Sequence, residues 1–238
     1  MKSPNAAVTG GEKGAFDLIV LNLKAYAESS GENGLNLIRT AHAVSKKTKK
    51  KIIVCPQPTQ LHYARKNSTS NFWFFAQHVD ANAQGAFTGT LTLEAVAEEG
   101  CKGTLINHSE KKVSYDHARI VVEKAKRLGL KTVICADTVE KGVLFSQLKP
   151  WAIAVEPPEL IGSGISVSKA RPQVVENAVR SIKSFDKRII VLVGAGVSNA
   201  EDYSKCLALG AEGVLLASAF VKAQNPREWL ESLVKVKA

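Results

Sequence analysis

Eight short apolar runs, rich in β-branched residues, recur along the chain: Asp17–Leu23, Ile52–Cys55, Phe72–Ala76, Gly103–Asn107, Thr132–Ala136, Trp151–Glu156, Ile189–Gly194 and Gly213–Ala217. Each has the length of a strand and is apolar on both sides. Such strands need cover on both faces, which a parallel sheet built from β–α units provides. The stretches between them repeat apolar residues three and four apart, as in Ala118, Val121, Val122, Ala125 and Leu128, the period of a helix with one buried face. Gly100, Gly129 and Gly210 stand where helices should stop, each just ahead of the next strand. Eight such units in 238 residues predict an α/β protein, a closed (β/α)8 barrel with its active site at the C-terminal strand ends. An open, doubly wound sheet of eight strands has the same string of elements, and a strand count does not exclude it. No Pro/Gly/Ser-rich linker divides the chain, so the expectation is a flexible N-terminal extension over 1–14 and one barrel domain over 15–238.

Hydrophobic residues make up 45% of the chain and charged ones 23%, the balance of a soluble globular protein. Residues 1–16 lack the apolar centre of a signal peptide, and no later run approaches the ~18 apolar residues of a membrane span. The expectation is a cytoplasmic protein with no membrane partner. Cys55, Cys101, Cys135 and Cys206 form no CxxC pair, and read as buried thiols rather than metal ligands.

A net charge of +10 raises the question of nucleic acid. Lys46, Lys47, Lys49, Lys50 and Lys51 join a helical pattern to a strand, and Lys124, Lys126, Arg127 and Lys131 decorate another helix. No aromatic residue is interleaved with them for base stacking. They read as solvated helix ends and faces, with no nucleic-acid partner and a modest attraction for anionic metabolites.

The strand ends carry the chemistry. Strand one closes on Asn22-Leu23-Lys24, where residues two apart share a side, so Asn22 and Lys24 face the barrel mouth and Leu21 and Leu23 pack outward. Taken alone, Lys24 is equally well a structural ion pair. Strand four closes on Asn107-His108-Ser109-Glu110, handing over to a polar, helical turn. A lone histidine there is more often structural, but backbone N–H groups at a helix start disfavour the imidazolium and leave a neutral ring. Strand six ends on Glu156, which Ala154 and Val155 hold at the edge of the core, where partial burial raises its basicity. Pro157 and Pro158 stiffen the near end of the next segment, and Gly162 and Gly164 loosen its far end, the pattern of a lid. Gly162-Ser163-Gly164, Gly194-Ala195-Gly196 and Ala217-Ser218-Ala219 come after strands six, seven and eight, and small-residue turns at those places build phosphate sites from backbone N–H groups.

These segments resemble the triosephosphate isomerase family, in its short archaeal branch. The resemblance rests on "NLKAY" at 22–26, "NHSEKK" at 107–112, "EPPELIGSGI" at 156–165, "GAGVSNAED" at 194–202 and "GAEGVLLASAFVKA" at 210–223. It implies a TIM barrel and an aldose–ketose isomerase of glycolysis and gluconeogenesis acting on triose phosphates, with no cofactor and no metal. It further implies that Glu156 is the base, His108 the neutral electrophile, Lys24 the positive charge at the developing oxyanion and Asn22 the group that orients the substrate oxygen. Ile161 closes over the ligand, while Gly162, Ser163, Gly196, Ala217 and Ser218 offer N–H groups to phosphate; Glu110 takes a supporting part. Where the family motif carries arginines this chain has Lys111 and Lys112, and Ala219 stands where glycine is common. The resemblance also implies a homo-oligomer, a tetramer before a dimer, joined through the loop around Gln77–Thr90. Another phosphosugar isomerase barrel, or an inactive barrel that binds a phosphorylated ligand, are the competing readings; the first does not account for Asn22, Lys24, His108 and Glu156 together, and the second predicts loss of Glu156 or His108, neither of which is lost.

Overall fold

The computed structural model describes residues 17–156 and 172–236. Eight parallel strands close into a barrel in chain order: β1 (Leu18–Asn22), β2 (Ile52–Cys55), β3 (Phe72–Ala76), β4 (Gly103–Ile106), β5 (Lys131–Ala136), β6 (Ala152–Val155), β7 (Ile190–Val193) and β8 (Gly213–Leu216), with β8 pairing back onto β1. Closure removes the open sheet from consideration. Each strand differs from its sequence expectation by at most one residue at either end.

Helices α1 (Gly31–Thr48), α2 (Ala64–Asn67), α3 (Leu93–Glu98), α4 (Tyr115–Arg127), α5 (Val139–Ser146), α6 (Pro172–Phe185), α7 (Ala200–Ala208), α8 (Ser218–Val221) and α9 (Pro226–Val234) are the α-helices among the described residues, with short 3-10 helices at Ala27–Ser29 and Pro58–Tyr63. The strands feed two cores because successive side chains point to opposite faces. Leu18 and Val20 of β1 join Ile53, Phe75, Val133 and Leu192 inside the barrel. Ile19, Leu21 and Leu23 pack outward, in the shell between strands and helices.

Helix α4 shows how local sequence sets an element. Ser114 caps its start by accepting the His117 N–H, Asp116 lies in the first turn and Lys124, Lys126 and Arg127 in the last, matching the helix dipole. Ala118, Val121, Val122 and Ala125 are buried as their spacing requires, but Leu128 is 39% exposed. It is the C-cap residue, past the point where the apolar face meets the barrel. Gly100, Gly129 and Gly210 come after α3, α4 and α7 with φ of 79°, 70° and 89°, the left-handed stop that glycine favours. All four cysteines are free and buried. Among the described residues, no helix is long and apolar enough to cross a membrane.

Candidate active site

The ends of β1, β4 and β6 bring Asn22, Lys24, His108, Glu110 and Glu156 into one chain of contacts. Asn22, the last residue of β1, is buried, and its Oδ1 accepts the Lys24 N–H at 3.0 Å. Lys24 has φ of 50°, left-handed for a residue with a Cβ, a conformation that costs of order 1–2 kcal/mol. Gln77, just past β3, donates from Nε2 to the Lys24 carbonyl and to the Cys55 carbonyl, each at 3.0 Å. The lysine backbone is therefore held on both sides. Its ammonium pairs with Glu110 Oε1 at 2.6 Å, where Glu110 is 59% exposed and the pair is correspondingly weak.

His108 lies just past β4 on a single tight turn closed by the Lys111 N–H on the His108 carbonyl at 2.8 Å. Helix α4 starts only at Tyr115. The expected helix N-terminus is thus absent at the histidine, and a turn N–H takes its place: Glu110 N–H donates to His108 Nδ1 at 3.2 Å. A donor on Nδ1 puts the ring proton on Nε2 and favours the neutral form. Burial lowers the His108 pKa, the nearby Lys24 charge adds to this, and Glu110 opposes it. Asn107, with φ of 60°, anchors the same turn by donating to Cys135 O at 2.9 Å and accepting the Val113 N–H at 3.0 Å.

Glu156 is the residue next to the end of β6 and is 3% exposed. Its N–H donates to Ala136 O at 2.8 Å, which fixes the backbone from β5. Burial pushes its carboxyl up to about 7, against the pull of Lys24 and a hydrogen bond from the Ser109 N–H. His108 Nε2 and Glu156 Oε1 stand 3.5 Å apart. The room for this carboxylate comes from Gly194, at the end of β7, where a Cβ would lie 2.5 Å from Glu156 Cγ. In the sequence alone, Gly194 reads only as part of a turn.

A buried base facing a neutral N–H donor, with an ammonium beside them, is equipped to remove a proton next to a carbonyl while stabilising the oxygen. Gly196 has φ of 73° in the turn after β7, and Ala217 and Ser218 begin α8 at the mouth end of β8, where helix N–H groups lack internal acceptors. Ile161, Gly162 and Ser163, like Pro157 and Pro158, lie outside the described residues. Lys112 reaches Asp137 Oδ2 at 2.6 Å and Lys141 reaches Asp137 Oδ1 at 2.8 Å, a cluster that holds the Asp137 carboxyl below its usual range. Among the described residues, no group of three or more His, Cys, Asp or Glu side chains could hold a metal ion.

Gln77, Asn107 and Ser109 are parts of the site that the sequence does not single out, and Gly194 is read there only as part of a turn. The third and seventh strand ends, read as closely as the first, fourth and sixth, draw attention to Gln77 and Gly194. Their partners, however, lie on other strands.

A family model for triosephosphate isomerase matches residues 17–236. The chain is 47% identical to the triosephosphate isomerase of Methanocaldococcus jannaschii over 218 residues, 92% of this chain and 99% of the relative. It is 45% identical to that of Methanothermus fervidus, over 91% of this chain and 97% of the relative. For the enzyme of Saccharolobus solfataricus the figures are 42%, 91% and 94%.

Proposed function

This chain belongs to the triosephosphate isomerase family, and on that premise we propose that it interconverts dihydroxyacetone phosphate and D-glyceraldehyde 3-phosphate through an enediolate, with Glu156 as the base. The observation that carries the reading is the buried Glu156 carboxyl opposite a neutral His108 ring at 3.5 Å. Glu156 takes the proton from the carbon next to the carbonyl and returns it to the neighbouring carbon. His108 donates from Nε2 to the substrate oxygen, and the Lys24 ammonium offsets the negative charge that builds there. Neutral imidazole as the electrophile is an established pattern for this enzyme family, not a new one.

Asn22 orients the oxygen end of the substrate, and Glu110 supports Lys24 until substrate arrives. Gly196, Ala217 and Ser218, with Ile161, Gly162 and Ser163 from the family resemblance, grip the phosphate. That grip supplies binding energy remote from the reacting carbon. We assign the chemistry to a barrel domain over 15–238, preceded by an extension over 1–14. A cytoplasmic homotetramer is our proposed assembly, supported by the resemblance to the short archaeal branch; light scattering on the purified protein tests it.

The test of function is a coupled assay of triose phosphate interconversion on the parent and on Glu156→Asp. Withdrawing the carboxylate by one methylene should cut kcat by about 100-fold or more while leaving the affinity for a phosphate ligand nearly intact. An inactive parent, or a variant with unchanged kcat, refutes the assignment.

A further inference from the structure

Strand β4 ends at Ile106, two residues ahead of His108, and Asn107 between them leaves the strand with φ of 60°. Left-handed backbone is rare for a residue with a Cβ, and asparagine is among the few that visit it, because its short amide can bond the nearby main chain. Both ends of this amide are used. Nδ2 donates at 2.9 Å to the carbonyl of Cys135, one step past the Ile106–Ile134 pair, so a side-chain N–H extends the β4–β5 connection beyond the strand. Oδ1 accepts the Val113 N–H at 3.0 Å and closes the segment 107–113 into a loop.

That loop holds three groups of the site: the His108 ring, the Glu110 N–H on its Nδ1 at 3.2 Å, and the Ser109 N–H that bonds the Glu156 carboxyl. Two side chains tie the loop to the end of β5. Lys112 reaches Asp137 Oδ2 at 2.6 Å, but that lysine is exposed and the pair is correspondingly weak. The Asn107 bond lies against the buried Cys135, where losing the donor leaves a carbonyl unsatisfied and costs more. The next carbonyl of the same strand, Ala136 O, accepts the Glu156 N–H at 2.8 Å. His108 and Glu156 are thus both referenced to adjacent carbonyls of β5, the first of them through the Asn107 amide.

We propose that Asn107 is a positioning residue for the isomerase reaction, its side-chain amide setting where the His108 ring stands relative to Glu156. This role presupposes the isomerase reading above; the amide itself needs no contact with substrate. With the amide gone, the loop keeps its inner turn and its exposed lysine pair but loses its register on β5. The ring then moves off its 3.5 Å approach to Glu156 and out of its buried setting. A displacement of about 1 Å in a catalytic group costs on the order of 100-fold in rate. The backbone groups proposed to hold the phosphate after β7 and β8 stay in place.

Steady-state kinetics and nitrogen-15 NMR of the histidine rings are compared for the intact parent, Asn107→Gly and Asn107→Ala. Glycine tolerates φ of 60° and loses only the two side-chain bonds, whereas alanine strains the backbone as well. In Asn107→Gly kcat should fall about 10-fold or more while KM stays within about 3-fold of the parent. The His108 ring signals should shift, and its titration should move up toward the ordinary 6.5 as the ring leaves its buried setting, with His42 and His62 unchanged. Asn107→Ala should lose at least as much; if it fails to fold, the glycine variant decides alone. A glycine variant that keeps the parent kcat overturns the proposal even if it melts lower, because a structural brace would do no more. A fall in kcat with the His108 signals unmoved overturns it too, since the loss would then act through another group. An inactive parent refutes the isomerase reading instead, and the NMR comparison still decides whether Asn107 places the ring.

Discussion

The Nε2 of His108 lies 3.5 Å from Oε1 of Glu156, a contact between a neutral ring and a carboxyl rather than an ion pair. One buried setting shifts both groups toward their uncharged forms, Glu156 up to about 7 and His108 below its ordinary value. In the proposed mechanism Glu156 must be ionised to act as the base and the His108 ring must be neutral. In the free enzyme kcat/KM should therefore rise as pH climbs through about 7, because Glu156 loses its proton there while His108 has already lost its own. A rate profile that is flat above the ionisation of the substrate phosphate, near pH 6, would contradict this.

The same burial costs stability. The folded state holds the Glu156 proton up to about pH 7, whereas an unfolded chain releases it around the ordinary 4.5. Folding stability thus falls as pH rises through that window, by an amount whose upper bound is about 3 kcal/mol. Glu156→Gln removes the ionisation with little change of shape. Urea curves should show the variant more stable than the parent at pH 8 and nearly equal to it at pH 4. Parallel pH dependences for the two proteins would show that the carboxylate bears no such cost.

The barrel was legible because its strands carry an apolar period that only two-sided cover can satisfy, and the outward packing of Leu21 and Leu23 came from alternation alone. Strand-end position also picked out Asn22, Lys24, His108 and Glu156 from among many polar residues. What the sequence withheld depends on neighbours distant in the chain. Gln77 acquires its purpose from carbonyls on two other segments, at Lys24 and Cys55. Nothing local to His108 announces that the Glu110 N–H closes onto its Nδ1, since a helical turn and a single tight turn read alike in "NHSEKK".

Gly194 is needed for the space it leaves. A Cβ there would meet Glu156 Cγ at 2.5 Å and Oε1 at 3.0 Å, too close for either group to stay in place. Gly194→Ala should move the base by a fraction of an ångström or more and lower kcat by about 100-fold, with phosphate affinity largely kept. It should also destabilise the fold, by overpacking, about 1–3 kcal/mol. Removing the obstructing side chain gives the control. In a Glu156→Ala background the added methyl should cost markedly less stability, and a penalty of the same size in both backgrounds would place the strain elsewhere.

Gln77 holds the conformation that Lys24 would not choose by itself. The lysine φ of 50° is maintained by Asn22 on its N–H and by Gln77 on its carbonyl, and the second amide hydrogen of Gln77 reaches Cys55 O. Gln77→Ala leaves both carbonyls without that donor, a loss of about 1–3 kcal/mol in stability, read from the urea midpoint. Released on one side, the Lys24 backbone can relax toward negative φ and carry its ammonium away from the developing oxyanion. The expected result is a fall in kcat that exceeds any change in the affinity of a phosphate ligand, because the groups proposed to grip that ligand are other backbone N–H groups. A variant that loses stability but keeps the parent kcat would make Gln77 a structural brace with no part in positioning the lysine.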